Sequence, residues 1–207
     1  ITERLVGSEM CIRDSTGTSF YAAVLGLSMV FVAISSPILG AIADRIRIKK
    51  KIVWIYTLIG VIFTAFMGFA PHLNEDSAYR LLAFCFLMGQ IGMAGGNTIY
   101  YAFMPYLADQ DQMEKVSSWG FAYGFAGGTV ILIVHLIVMA TGGLGLTSAY
   151  GPWTLSFAFV TTSLWWLGFG LPFFRNTPEP EIAKERTYSS VLDAVSDGLN
   201  EVRSTFR

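Results

Sequence analysis

The sequence predicts an all-α membrane protein with five transmembrane helices, and three observations carry that reading. Of the 207 residues 53% are hydrophobic and only 14% are charged, against about 25% charged in soluble domains. Mean hydropathy is +0.52. Five apolar runs, at residues 20–43, 52–70, 81–107, 116–140 and 153–174, each approach or exceed the roughly 20 residues that cross a bilayer, and none holds an Asp, Glu, Lys or Arg. A soluble core helix of that length would show a polar stripe.

The first fifteen residues are set aside from fold reasoning. Leu5 to Ser15 reads LVGSEMCIRDS, which resembles one translated frame of a transposase adaptor used in sequencing-library preparation. Residues 1–15 are therefore expected to be an artefact joined to a truncated reading frame. A polar leader before the first span is the alternative.

Basic residues in the short loops set the orientation. Arg45, Arg47, Lys49, Lys50 and Lys51 follow the first run, Lys115 the third, and Arg175, Lys184 and Arg186 the fifth. The loops after the second and fourth runs hold only Arg80. Nine basic residues against one place the first set of loops in the cytoplasm. Beyond the transmembrane region (16–175), residues 176–207 read as a cytoplasmic linker cut short. There Thr177-Pro-Glu-Pro ends the last span. Val191, Val195, Leu199, Val202 and Phe206 recur at helical spacing, which predicts an amphipathic helix.

Composition also excludes classes. A net charge of −1 gives no sign of a nucleic-acid partner. The two cysteines, Cys11 and Cys85, build neither a disulfide framework nor a metal cluster. No phosphate-binding loop of the form G-x-x-x-x-G-K-[ST] is present, which argues against an ATP-driven pump. A membrane-embedded enzyme would need convergent His, Asp, Glu or Cys, which the spans lack, so no enzymatic activity, cofactor or metal is expected. A non-transporting membrane scaffold or receptor stays open as an alternative.

Two motifs carry a resemblance. GAIADRIRIKKK, from Gly40 to Lys51, resembles the cytoplasmic signature G-x-L-A-D-R-x-G-R-R of the major facilitator superfamily, which joins that family's second and third helices. The family prefers glycine where Arg47 stands. NTIYYAFMPYLADQDQMEKVSSWGFAYGFAGG, from Asn97 to Gly128, resembles one branch of that superfamily, the unknown-major-facilitator family, bacterial relatives of the fungal vacuolar amino-acid effluxers of autophagy. The resemblance carried by Phe103, Met104, Pro105, Ser117, Ser118, Gly120, Gly124, Gly127 and Gly128 is specific to branch, not to substrate.

The resemblance implies a partial major-facilitator fold, helices 2–6 of an expected twelve. The missing first helix and carboxy-terminal half would belong to the same chain. It implies a secondary transporter moving a small solute, with amino acids suggested, by alternating access in a bacterial inner membrane, or a vacuolar one if the source is fungal. Gly40, Asp44, Arg45 and Lys49 would then form the gating loop that locks one conformation; the bland reading is a positive-inside anchor.

Inside the spans, Gln90, Asn97, Tyr100 and Tyr101 are candidates for the substrate cavity, because polar groups at membrane depth are costly and mark solute paths. Interhelical hydrogen bonds would explain them equally. Gly120, Gly124 and Gly128 make two G-x-x-x-G steps that let another backbone approach, either as a moving contact between halves or as static packing. His135 is the sole His, Asp, Glu, Lys or Arg in a span. It is expected to be a neutral, hydrogen-bonded histidine, with proton relay as the alternative. Trp153 suits the outer interface, and Trp165 and Trp166 are assigned no role.

Overall fold

A computed structural model describes residues 17–36, 48–103, 106, 111–179, 193, 196 and 204. Gly40, Asp44 and Arg45, the segment 1–16 and most of the expected amphipathic helix lie outside the described residues. Among the described residues are five long helices, all apolar enough to span a bilayer: α1 (Gly17–Ser36), α2 (Lys49–Met67), α3 (Glu75–Tyr101), α4 (Met113–Gly145) and α5 (Pro152–Asn176). A 3-10 turn at Ala70–His72 follows α2.

Several helices start earlier than their apolar runs. α3 absorbs the charged stretch that the sequence assigned to a loop, because Asn74 caps it: its Oδ1 accepts from the Ser77 backbone N–H at 3.1 Å. Glu75 and Asp76 then occupy the first turn, where the helix dipole favours negative charge. At its other end α3 stops at Tyr101, short of the run's end at Leu107. α4 starts at Met113 and turns left-handed near its end, with φ of 61° at Gly142, 66° at Gly143 and 62° at Leu144. Two successive glycines make that turn accessible; Leu144 bears the strain, and its N–H is held by the Thr141 hydroxyl at 3.1 Å.

Lipid gives no hydrophobic drive for helix association, so close approach and dispersion hold these helices together. The tightest contact joins α2 to α3. A Cβ built on Gly92 would lie 2.5 Å from the Gly60 backbone nitrogen and 2.7 Å from its Cα, and one on Gly95 would strike the Tyr56 ring at 2.5 Å. Gly60 also receives the Trp166 indole of α5, leaving no room for a side chain there. Val53, Ile99 and Phe103 form a buried cluster at one end, joined by Phe173 and Phe174 of α5. Together α2, α3 and α5 make a block keyed by glycine notches.

The other two helices attach more lightly. α1 stacks Phe20 on Tyr79 (5.3 Å) and Tyr21 on Phe86 (5.0 Å) of α3. Its Ser35 hydroxyl back-bonds to the Val32 carbonyl at 3.3 Å. α4 buries only His135 and Gly142.

The ends sort by loop. At one face Lys50 meets Glu179, and the Lys49 ammonium sits 4.9 Å over the Tyr106 ring. The start of α2, Tyr106 beyond α3 and the end of α5 therefore lie at one face. At the opposite face His72 Nε2 lies 2.9 Å from Ser156 Oγ. The Ser156 hydroxyl in turn bonds the Gly68 carbonyl at 2.6 Å, and Trp153 stacks against His72 at 4.6 Å.

Candidate functional site

Hydroxyls within the spans mostly satisfy themselves. Ser28 donates to the Leu25 carbonyl, Thr98 to Ala94, Thr129 to Phe125 and Ser163 to Val160. Such bonds to a preceding turn let a short polar side chain sit in lipid. The Gln90 and Asn97 amides on α3 behave differently. Neither side chain forms a hydrogen bond to any described residue, and neither is fully buried. An amide at membrane depth without a partner costs more than a hydroxyl that back-bonds.

The candidates occupy different depths. Gln90 lies near the middle of α3, and Tyr101 ends the helix eleven residues on, about 16 Å away at 1.5 Å per residue. Tyr100 and Tyr101 therefore stand at the basic face, with Asn97 one turn deeper. The Tyr100 ring contacts Phe173 of α5 at 5.2 Å, while Tyr101 leans toward Phe121 of α4 at 6.4 Å.

Two grooves flank this end of α3. One, of about 290 Å³, lies among α2, α3 and α5, and Thr57, Asn97, Tyr100, Trp166 and Phe173 are among its walls. The other, of about 390 Å³, lies between α3 and α4 and is walled by Tyr100, Tyr101, Ser117, Phe121 and Phe125 over Gly120 and Gly124. Tyr100 separates the two. The structure thus brings together three of the four cavity candidates with two of the three stripe glycines. Gln90 lines neither groove.

The glycine stripe itself is open. A Cβ at Gly120, Gly124 or Gly128 would meet nothing within 4 Å. His135, two turns past Gly128, is instead buried against α5. Its Nε2 lies 2.7 Å from Thr161 Oγ1, and the Thr161 hydroxyl donates to the Phe157 carbonyl at 2.6 Å. The tautomer of His135 sets which of the two carries the bridging proton. Lys49 packs beneath Tyr106. No group of three His, Cys, Asp or Glu able to hold a metal ion occurs among the described residues.

Sequence reasoning missed several participants. Thr161, the partner of His135, carries no motif. Phe121 and Phe125 were hidden in an apolar run, although their spacing of four from Ser117 places them on one α4 face. Trp166, assigned no role, keys α5 into Gly60. The signal for the tight contact was present as Gly92-x-x-x-Gly96 in α3.

Five long apolar helices among the described residues, with ends that alternate between two faces, define a multi-pass integral membrane protein. Comparison with known proteins makes this specific. The family described as vacuole effluxer Atg22-like matches residues 9–207, and the chain belongs to that family. It is 25% identical over 181 residues to the uncharacterised MFS-type transporter YxiO of Bacillus subtilis, a match covering 87% of this chain and 41% of that protein. The chain thus spans less than half the length of this curated relative. No solved structure matches.

Proposed function

We propose that the chain is part of the amino-terminal half of a secondary transporter that moves a small solute across the membrane by alternating access. Amino acids are the first solutes to test, on the resemblance to vacuolar amino-acid effluxers. The observation that carries the reading is the pair of amides without a partner among the described residues, Gln90 and Asn97, on the helix whose end borders the open Gly120–Gly124 groove. Helix-packing residues in lipid find partners, whereas residues of a solute path keep theirs for water and solute. Gly120, Gly124 and Gly128 supply a smooth face for the remainder of the transporter to slide against, and His135 acts as a structural pin between α4 and α5. A scaffold or receptor would leave the two amides without a role. In this reading α3 walls the path, and the α2–α3–α5 block holds it rigid.

The test is reconstitution of the full-length protein in proteoliposomes loaded with labelled amino acids, with and without an imposed proton gradient. Flux above that of protein-free vesicles is expected. Folded protein that moves no amino acid would remove that substrate class, and failure across other small-solute classes would overturn the transporter reading.

A further inference from the structure

The start of α2 and the end of α5 exchange charged groups in a way the helices' own sequences do not require. α2 has no cap of its own, since its N-cap residue is Ile48 and no side chain from that position bonds the first turn. The missing acceptor arrives from 129 residues away. Both carboxylate oxygens of Glu179 accept from the Lys50 backbone N–H, at 3.2 and 3.1 Å. In return the Lys50 ammonium donates to the Thr177 carbonyl at 2.7 Å, and Thr177 is the C-cap of α5. A carboxylate thus sits on the positive end of one helix and an ammonium on the negative end of its antiparallel neighbour. Each placement is favoured by the helix dipole and by charge-assisted hydrogen bonding. One lysine makes both bonds, so neither can open without disturbing the other.

We propose that this reciprocal clamp is a coupling strap, which makes the α2 N-terminus and the chain leaving α5 at residues 177–179 one mechanical unit. α2 takes the last residues of the basic stretch, Lys49 to Lys51, as its first turn, and Glu179 lies near the start of the expected linker. Displacement at the first is therefore transmitted to the second. A local cap on α2 would stabilise the helix equally well without linking the two segments, and that difference is what a test can read.

The test uses the full-length protein in lipid nanodiscs and three versions: parent, Glu179→Ala, and Glu179→Ala with Ile48→Asp, which offers α2 a cap of its own. Amide exchange at the α2 N-terminus should accelerate about tenfold in Glu179→Ala, as expected for a lost cap, and return toward the parent rate in the double variant. Spin labels at Phe66→Cys, exposed at the far end of α2, and Pro178→Cys, beside Glu179, should give a narrow distance distribution in the parent and a broad one in both variants. A distribution equally narrow in Glu179→Ala, or narrowed again by Ile48→Asp, would reduce Glu179 to a helix cap and overturn the strap. Solute flux on the same proteins rests on the transporter reading: the strap predicts a loss that Ile48→Asp does not rescue, and rescue overturns it. If the parent itself shows no flux, that reading fails while the exchange and distance results still decide the strap.

Discussion

Glycine does opposite work in the two parts of this molecule. In the α2–α3–α5 block, Gly60 and Gly92 meet backbone to backbone, and the Trp166 indole fills what remains of the Gly60 notch. On α4, Gly120, Gly124 and Gly128 repeat at the spacing associated with helix contact, yet each faces open space. Spacing alone therefore does not say whether a glycine face is filled. The filled notches make a rigid frame, because backbone cannot yield as a side chain can. The open stripe belongs to a helix held mainly through His135 and its Thr161 partner, and it is available to whatever else the protein packs there.

Substitutions should separate the two regions in order of size. The largest effect is expected from Gly92→Leu, whose side chain would have to displace the α2 backbone. Overpacking of this kind costs about 3 kcal/mol or more, and the full-length protein should fail to yield a monodisperse peak in detergent. Gly60→Ala comes next, at roughly 1–3 kcal/mol, because the ring of Trp166 rather than backbone is the main obstacle. Adding Trp166→Leu should recover a large part of the lost Tm, a coupling visible in a double-mutant cycle. Thr161→Val removes the hydrogen-bond partner of His135 and should lower stability by about 0.6–2 kcal/mol, the range for an interhelical bond in a membrane; thermal unfolding in nanodiscs reads it. Smallest of all is Gly120→Ala, which meets no neighbour and should change stability by no more than about 0.5 kcal/mol. If Gly120→Ala destabilises as much as Gly60→Ala, the face is filled in the whole protein by static packing.

Much of the frame was legible in the residues. Charge-free runs gave five spans, and the uneven distribution of Arg and Lys sorted the loops into two faces. The structure gathers Lys49, Lys50, Tyr106 and Glu179 at one of those faces. Helix starts were less legible, since the Asn74 cap and the acids after it looked like loop. Partners were not legible at all where they came from far along the chain. Nothing in the local sequence of Lys50 announces Glu179, and nothing around His135 announces Thr161. The glycines show the same limit: Gly92-x-x-x-Gly96 and Gly120-x-x-x-Gly124 have one pattern and two environments. The polar candidates on α3 were readable by type, because amides are rare in lipid, but their lack of a described partner needed coordinates.

That lack of a described partner supports the central proposal, that Asn97 faces a water-accessible path rather than lipid or packed protein. The direct measurement is thiol labelling of Asn97→Cys in the full-length protein, in membranes, with Cys85 and Cys11 replaced by serine. A membrane-impermeant methanethiosulfonate reagent supplies the label, and Ser163→Cys, buried on α5 and outside both grooves, serves as the packed control. The account predicts that Asn97→Cys is modified within minutes and Ser163→Cys is not, with modification slowed by transported solute. An Asn97→Cys as inert as the control would contradict it.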